Sequence, residues 1–177
     1  MTKSSQNTIN TFDCVIIGAG AAGLMASIEA AKRGQRVLLL EKNSKPGVKI
    51  LMSGGTRCNL TQDTDTRGIV SAFGKQGRFL HSALARFSNT DLIEYFRERG
   101  VPTKIEPSGK VFPQSDRAKD VLDALVNDAT KNDVALNLNE PAKTVEYRDG
   151  TFEISTQHAN YKVDTVLITT GGLSFPG

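Results

Sequence analysis

The sequence predicts an α/β domain: a doubly wound parallel sheet carrying a helical insertion and a β-meander. Three observations lead there. Residues 13–41 read as a short apolar strand, a glycine turn, a helix and a second apolar strand, the βαβ unit from which parallel sheets are built. Residues 134–138 and 164–169 repeat the apolar, strand-length pattern of buried parallel strands. Between them, residues 142–147 and 151–155 alternate apolar and polar about Arg148-Asp149-Gly150, a good hairpin turn. The chain has 177 residues, of which 38% are hydrophobic and 23% charged, enough for one soluble domain with a real core.

In chain order, residues 1–11 are polar and lack the apolar stretch of a signal peptide, so they are expected to form a flexible extension on a cytoplasmic protein. The first strand is 14–17. The first helix spans 21–33, with Leu24, Ile28 and Ala31 inward and Gly34 as its stop. Residues 36–40 form the second strand. Residues 42–76 show no sustained period and read as a long, structured, functional loop. Two helices follow, at 79–87 and 90–99, the second starting at Asn89/Thr90 and stopping at Gly100. Residues 103–112, broken at Pro107-Ser108-Gly109, read as a hairpin. Ser115 is the expected cap of a helix reaching Thr130, with Val121, Leu122, Leu125 and Val126 inward and Asp116, Lys119, Asp120 and Asp123 on an exposed side. The chain leaves its last buried strand in the turn-like run Leu173-Ser174-Phe175-Pro176-Gly177, which suggests a fragment.

Bulk properties exclude several classes. A net charge of +3 without a Lys/Arg run gives no reason to expect a nucleic-acid partner. Two cysteines, with no CxxC and no Cys/His cluster, argue against a disulfide scaffold, a zinc site and a dithiol centre. His81 and His158 lack a metal-spaced partner, so no metal is expected. The apolar runs are too short to span a membrane.

The chemistry concentrates in Gly18-x-Gly20-x-x-Gly23. Glycines at this spacing are weak evidence alone, and an ordinary βαβ glycine turn could produce them. Here a strand precedes them, a helix follows, and Glu41 stands 18 positions beyond Gly23. Gly18 suits the tight turn, Gly20 lets a pyrophosphate approach the backbone, and Gly23 lets the helix pack closely. The helix N-terminus, with the amides of Ala21 and Ala22, suits the phosphates. Glu41 suits a ribose, with Lys42 a candidate assistant. The reading is an adenine-dinucleotide site, and the fingerprint alone does not separate FAD from NAD.

A second dense run is Gly47-Val-Lys49-Ile-Leu-Met-Ser53-Gly54-Gly55-Thr56-Arg57-Cys58-Asn59-Leu-Thr61. Its composition fits either a solvated loop or one that lays backbone N–H groups on phosphates. It resembles the SGGGRCNLTN signature of the BaiN/aminoacetone-oxidase family of FAD-dependent oxidoreductases. Glu106-Pro-Ser-Gly109-Lys-Val-Phe112-Pro113-Gln-Ser115 is similar to that family's E-x-x-G-x-x-F-P-x-S run. Leu167-Ile-Thr169-Thr170-Gly171-Gly172-Leu-Ser174-Phe-Pro176 is similar to its A-T-G-G-x-S-x-P run. Thr56, Gln62 and Thr169 depart from the pattern, in place of Gly, Asn and Ala.

The resemblance implies a Rossmann-like FAD-binding domain over 12–177, lacking the inserted second domain and closing segment of longer members. It places Lys49, Ser53, Gly54, Gly55, Arg57, Cys58 and Asn59 toward the flavin, Ala142 toward the adenine through its backbone, and Thr170 and Gly171 close to the dinucleotide. Cys58 beside Arg57 could be a reactive thiol, but a lining or packing role fits a chain without a nearby resolving cysteine. The implied function is a flavoprotein oxidoreductase acting on a small-molecule substrate, with NAD(P)H as candidate donor. An amine oxidase and a reductase of an unsaturated ring both remain open, and no residue is assigned a catalytic role. The alternatives are an NAD-dependent dehydrogenase and a non-catalytic dinucleotide-binding fragment that needs a partner segment.

Overall fold

The computed structural model describes residues 8–9 and 12–172. Its strands are β1 (Thr8–Ile9), β2 (Cys14–Ile17), β3 (Val37–Leu40), β4 (Thr61–Gln62), β5 (Thr103–Ile105), β6 (Lys110–Pro113), β7 (Ala135–Asn137), β8 (Thr144–Arg148), β9 (Thr151–Ser155), β10 (Asn160–Val163) and β11 (Thr165–Ile168). Its helices are α1 (Ala21–Ala31), α2 (Val48–Met52), α3 (Thr66–Ala72), α4 (His81–Arg86), α5 (Asn89–Glu98) and α6 (Ala118–Lys131), with a 3-10 helix at Gly74–Leu80. The chain divides into two compact units, residues 1–48 with 125–177, and residues 49–124.

The first unit is the Rossmann-like α/β body. Its parallel sheet has the order β11-β2-β3-β7. Every β3 side chain is buried, which is why Val37-Leu38-Leu39-Leu40 reads as an unbroken apolar run. Alternation sorts these residues by face. Val15, Leu38 and Leu40 pack with Ile154, Ala159, Tyr161 and Val163 of the meander. Ile16 and Leu39, of opposite parity, are also fully buried, as are Leu24 and Ile28 of α1, which packs on β2 and β3. The meander sheet runs β1-β10-β9-β8.

Three expectations for this unit are revised. β10 completes the meander, and its Asn-Tyr-Lys-Val alternation is too short to stand out in the sequence. Thr8–Ile9, within the segment expected to be a flexible extension, pair in parallel with β10, whose free edge offers backbone partners. β11 is a sheet edge, not a buried strand, and Leu167 and Ile168 are exposed. The run Leu173–Gly177 lies outside the described residues.

The second unit holds the antiparallel sheet β4-β6-β5 with α3, the 3-10 helix, α4 and α5. The long-loop reading of 42–76 is corrected: α2, β4 and α3 lie within it, each too short to set up a period. The helix expected at 79–87 is split between the 3-10 helix and α4. α5 begins behind Ser88, which forms a reciprocal capping box with Asp91. α6 starts at Ala118, not behind Ser115, because Asp116 takes a left-handed φ of 55° in a turn whose N–H donates to the Pro113 carbonyl.

Asp13 and Arg36 join the beginnings of β2 and β3. The Asp13 carboxylate accepts from the Arg36 guanidinium at 2.6 Å and from its backbone N–H at 2.8 Å. The Arg36 side chain, and then its backbone bond, hold Asp13 at about 2, below the ordinary 3.8. A depressed carboxyl pKa contributes stability above its unfolded value and loses it as pH falls through the folded value. Asp13→Asn should therefore lower Tm at neutral pH, and the gap from the parent should close between about pH 4 and about pH 2. Thermal melts across that window check this, and a gap independent of pH would rule the linkage out.

Candidate dinucleotide site

β2 ends in the turn that starts α1. Gly18 has φ +106°, and a Cβ there would lie 2.8 Å from the Thr169 carbonyl oxygen. A Cβ on Gly23 would lie 1.9 Å from the Gly18 carbonyl oxygen and 2.7 Å from Thr169 Oγ1. Both positions need glycine because α1, the turn and the end of β11 meet there. Gly20 differs: a Cβ would meet no protein atom within 4 Å, so its glycine leaves open space over the helix start. Gly20 is the N-cap of α1, no side chain caps it, and the first turn carries no acidic residue. The N–H groups of Ala21, Ala22 and Gly23 have no acceptor within the helix. Ala21 and Ala22 are exposed. An uncapped positive helix end beside open space suits an anion electrostatically.

Glu41 follows β3 and is only 7% exposed. Its Oε2 accepts from the Ala19 N–H at 2.9 Å, and its Oε1 accepts from the Asn43 backbone N–H at 2.9 Å and side-chain amide at 2.7 Å. The carboxylate thus fixes the glycine loop and its own following turn, leaving Oε2 able to accept another donor. Lys42 is exposed. Thr169 donates its hydroxyl to the Gly18 carbonyl at 2.8 Å and lies 3.0 Å from that of Ile17. Thr170 and Gly171 follow it, exposed, the latter at φ +76°. Ala142 packs against the first unit's core just before β8. Gly18, Gly20, Ala21, Ala22, Gly23, Glu41, Thr170 and Gly171 therefore share the ends of adjoining parallel strands. Asn43 and Thr169 are supports that sequence reasoning misses; an amide two residues after Glu41 is the only available signal for the first.

The other candidates lie in the second unit. Gly54, Gly55 and Thr56 are consecutive left-handed residues, at φ +56°, +66° and +70°, and Cys58 is a fourth at +64°. A Cβ on Gly54 would lie 2.8 Å from the Asn59 nitrogen and 2.9 Å from the Phe112 ring. Arg57 donates to Glu106 at 2.6 Å, lies 3.4 Å from Asp116, and stacks its guanidinium 4.0 Å from the centre of the Phe112 ring. Lys104 also pairs with Asp116. Arg57 and the Glu106–Ser115 run, two separate sequence motifs, are one ion-paired assembly. Asp116 belongs to it and not to an exposed side of α6. Ser53 bonds its hydroxyl to the Ile50 carbonyl at 2.9 Å and accepts Cys58 N–H on its own carbonyl at 3.0 Å. Asn59 and Lys49 are exposed. Burial pushes the Cys58 thiol up, against a smaller opposing effect of a Ser53 hydrogen bond, so Arg57 does not make it a ready thiolate.

Elsewhere, His81 is exposed at the start of α4, and His158 Nε2 lies 3.8 Å from Glu140. Among the described residues, no cluster of three His, Cys, Asp or Glu could hold a metal, and no helix is long and apolar enough to cross a membrane.

A β-branched residue at φ +70° is strained by roughly 1–2 kcal/mol. Thr56→Gly should therefore raise stability by about 1 kcal/mol, after the entropy glycine adds to the unfolded chain. Denaturant unfolding checks this, and an unchanged midpoint would show that Thr56 makes a compensating contact.

The HI0933-like protein Rossmann domain matches residues 12–177. The chain is 37% identical over 166 residues to the ribosomal RNA dihydrouridine synthase of Escherichia coli K12, and 32% identical over 167 residues to that of Haemophilus influenzae. These alignments cover 94% and 92% of the chain, which spans 41% of the length of each relative. Among solved structures, a 3-ketosteroid dehydrogenase of Rhodococcus jostii superposes with TM-score 0.68 at 17% identity, over 96% of this chain and 47% of that one. Glycine oxidase of Geobacillus kaustophilus superposes with TM-score 0.55 at 17% identity, over 90% and 55%. At such identities these two speak for the fold alone. The family match carries the HI0933-like name and not that of the BaiN/aminoacetone oxidases: the chain belongs to the HI0933-like Rossmann domain family.

Proposed function

We propose that this chain is the FAD-binding part of a flavin-dependent oxidoreductase, and that the whole protein reduces a uracil ring in ribosomal RNA. The observation that carries the cofactor half is the uncapped start of α1 beside the open space at Gly20. The substrate half rests on the 37% identity, across nearly the whole chain, to a protein named for dihydrouridine synthesis in ribosomal RNA. Of the two chemistries left open by the sequence, reduction of an unsaturated ring is the one this supports. The expectation of a small-molecule substrate and no nucleic acid is set aside accordingly.

FAD, when bound, supplies two-electron transfer between a reduced donor, with NAD(P)H the candidate, and the 5,6 double bond of the base. The protein's part is binding and orientation. The amides of Ala21 and Ala22 hold the pyrophosphate against the helix dipole, with Gly18, Gly20 and Gly23 making room. Glu41, already fixed by Ala19 and Asn43, offers its remaining acceptor capacity to a ribose hydroxyl. Thr170 and Gly171 approach the dinucleotide through their backbone, as does Ala142 the adenine, and Lys42 serves the ribose end. In the second unit, Lys49, Ser53, Gly54, Gly55, Cys58 and Asn59 are assigned to the flavin by the resemblance. Arg57 has its charge matched by Glu106 and Asp116 and serves that loop's shape.

Two glycine substitutions separate binding from folding. Gly20→Val places its side chain in space free of protein, so it should cost about 1 kcal/mol of stability through the cap while sharply weakening FAD binding. Gly23→Ala drives a methyl into backbone and should cost about 2–3 kcal/mol. Flavin fluorescence titration with parallel thermal melts checks both. Undiminished FAD affinity in Gly20→Val would refute the binding mode. The substrate reading is tested by expressing the full-length protein in Escherichia coli lacking its relative and measuring dihydrouridine in ribosomal RNA. Restoration is expected, and none with a flavin-loaded protein would refute the substrate assignment.

A further inference from the structure

We propose that α3, the 3-10 helix and α4 of the second unit form an RNA-docking surface, with Lys75, Arg78 and Phe79 at its centre. The proposal deepens the ribosomal-RNA reading above and rests on it for its choice of partner. Residues 66–90 contain Arg67, Lys75, Arg78 and Arg86 and no Asp or Glu. The segment therefore carries +4 in a chain of net +3, which leaves the remainder at −1. All four cations are exposed, and among the described residues none has an ion-pair partner. That sets them apart from Arg57, Arg97, Arg99 and Lys104 of the same unit, each paired with a carboxylate.

The fold groups what the sequence spaces out. α3, the 3-10 helix and α4 pack on one another. In a 3-10 helix, side chains three apart eclipse, so Lys75 and Arg78 project on one side. Aromatic rings stand among the charges: Phe73 is 60% exposed and Phe79 86%, with Phe87 less so. A phenylalanine left almost wholly in water has no part in the core of this unit. Unpaired cations among exposed rings are the two halves of a single-strand nucleic-acid surface, the cations for phosphates and the rings for bases. An acidic protein partner would be served by the cations alone. Protein interfaces also favour Arg and aromatic rings, but they are depleted in Lys and usually pair cations with carboxylates, of which residues 66–90 have none. Both features together favour RNA.

The test uses the purified chain and a fluorescein-labelled 12-nucleotide oligouridine, with anisotropy read over a range of salt. Lys75→Glu combined with Arg78→Glu should weaken binding at least tenfold and lower the salt slope by about 1.4, roughly 0.7 for every single-strand phosphate that the variant no longer neutralises. Phe79→Ala should weaken oligouridine at least about fivefold while leaving affinity for inorganic polyphosphate unchanged, because only the base needs a ring. Lys143→Glu, an exposed lysine of the first unit, should change neither. Thermal melts confirm that each variant is folded. Equal binding by parent and double variant overturns the proposal, as does an equal loss in Lys143→Glu. A parent that binds no oligouridine overturns it too. The FAD content of each protein is read separately by absorbance: weakened RNA binding with flavin retained concerns this surface alone, whereas a parent that takes up no FAD strikes the cofactor reading and leaves the anisotropy result standing.

Discussion

The first unit depends on one close approach. Gly23 in the first turn of α1 lies so near the Gly18 carbonyl that not even a methyl fits, and the Thr169 hydroxyl closes the same point from the end of β11. This contact sets how far α1 sinks toward the sheet, and hence where its uncapped N-terminus points. Leu24 and Ile28, four residues apart on one face of α1, become fully buried. The strand β2 is paired on both sides, with β3 and β11, so the turn cannot shift without breaking two ladders. Glu41 adds a second tie by bonding the Ala19 N–H, joining the ends of β2 and β3. The site's geometry is thus set by backbone, with few side chains as guides.

The second unit solves a comparable problem with charge. Three successive left-handed residues at Gly54, Gly55 and Thr56 fold the backbone into a shape it would not hold alone. Arg57 anchors it by gripping Glu106, reaching Asp116 and lying over Phe112. The guanidinium is about a third exposed, so its ion pairs are screened and their value is mainly geometric. A planar fork that meets two carboxylates and a ring at once admits one arrangement of the loop. That accounts for why a motif near residue 57 and another near residue 106 occur in one chain: each is the other's support.

How much is legible in the sequence follows from the range of the forces involved. The βαβ core and α5 can be read because their burial imposes a period or an unbroken apolar run, β7 from its short apolar run, and β8 and β9 from their alternation about the Arg148-Asp149-Gly150 turn. The roles of Gly18 and Gly23 can be read because the turn demands glycine. What escapes is short or distant. α2, β4 and β10 have too few residues to set up a period. Arg57–Glu106 spans 49 positions and Thr169–Gly18 spans 151, so neither pairing has a local signature. Arg57 next to Cys58 in sequence suggests an activated thiol, whereas in space the cation is engaged elsewhere and burial governs the sulfur. The cations of residues 67–86 are inconspicuous for the same reason: no run exists until a 3-10 turn and two short helices gather them.

A site built from backbone has a consequence for what relatives can tell. Amide N–H groups, a helix end and the absence of a Cβ survive extensive sequence change, because most side chains can be replaced without moving them. That is consistent with a TM-score of 0.68 at 17% identity with a steroid dehydrogenase: the frame persists while most side chains change. What varies between proteins on one frame sits instead in side chains that the frame does not require. On this chain those include the exposed, unpaired cations and rings of the second unit, which neither bury a core nor serve the glycine turn. A relative at 37% identity across nearly the whole chain shares much more than the frame, whereas neighbours at 17% inform only the architecture. The glycine turn belongs to the backbone of the first unit, and the unpaired cations and exposed rings to the side chains of the second, so the two sets of residues answer to different constraints.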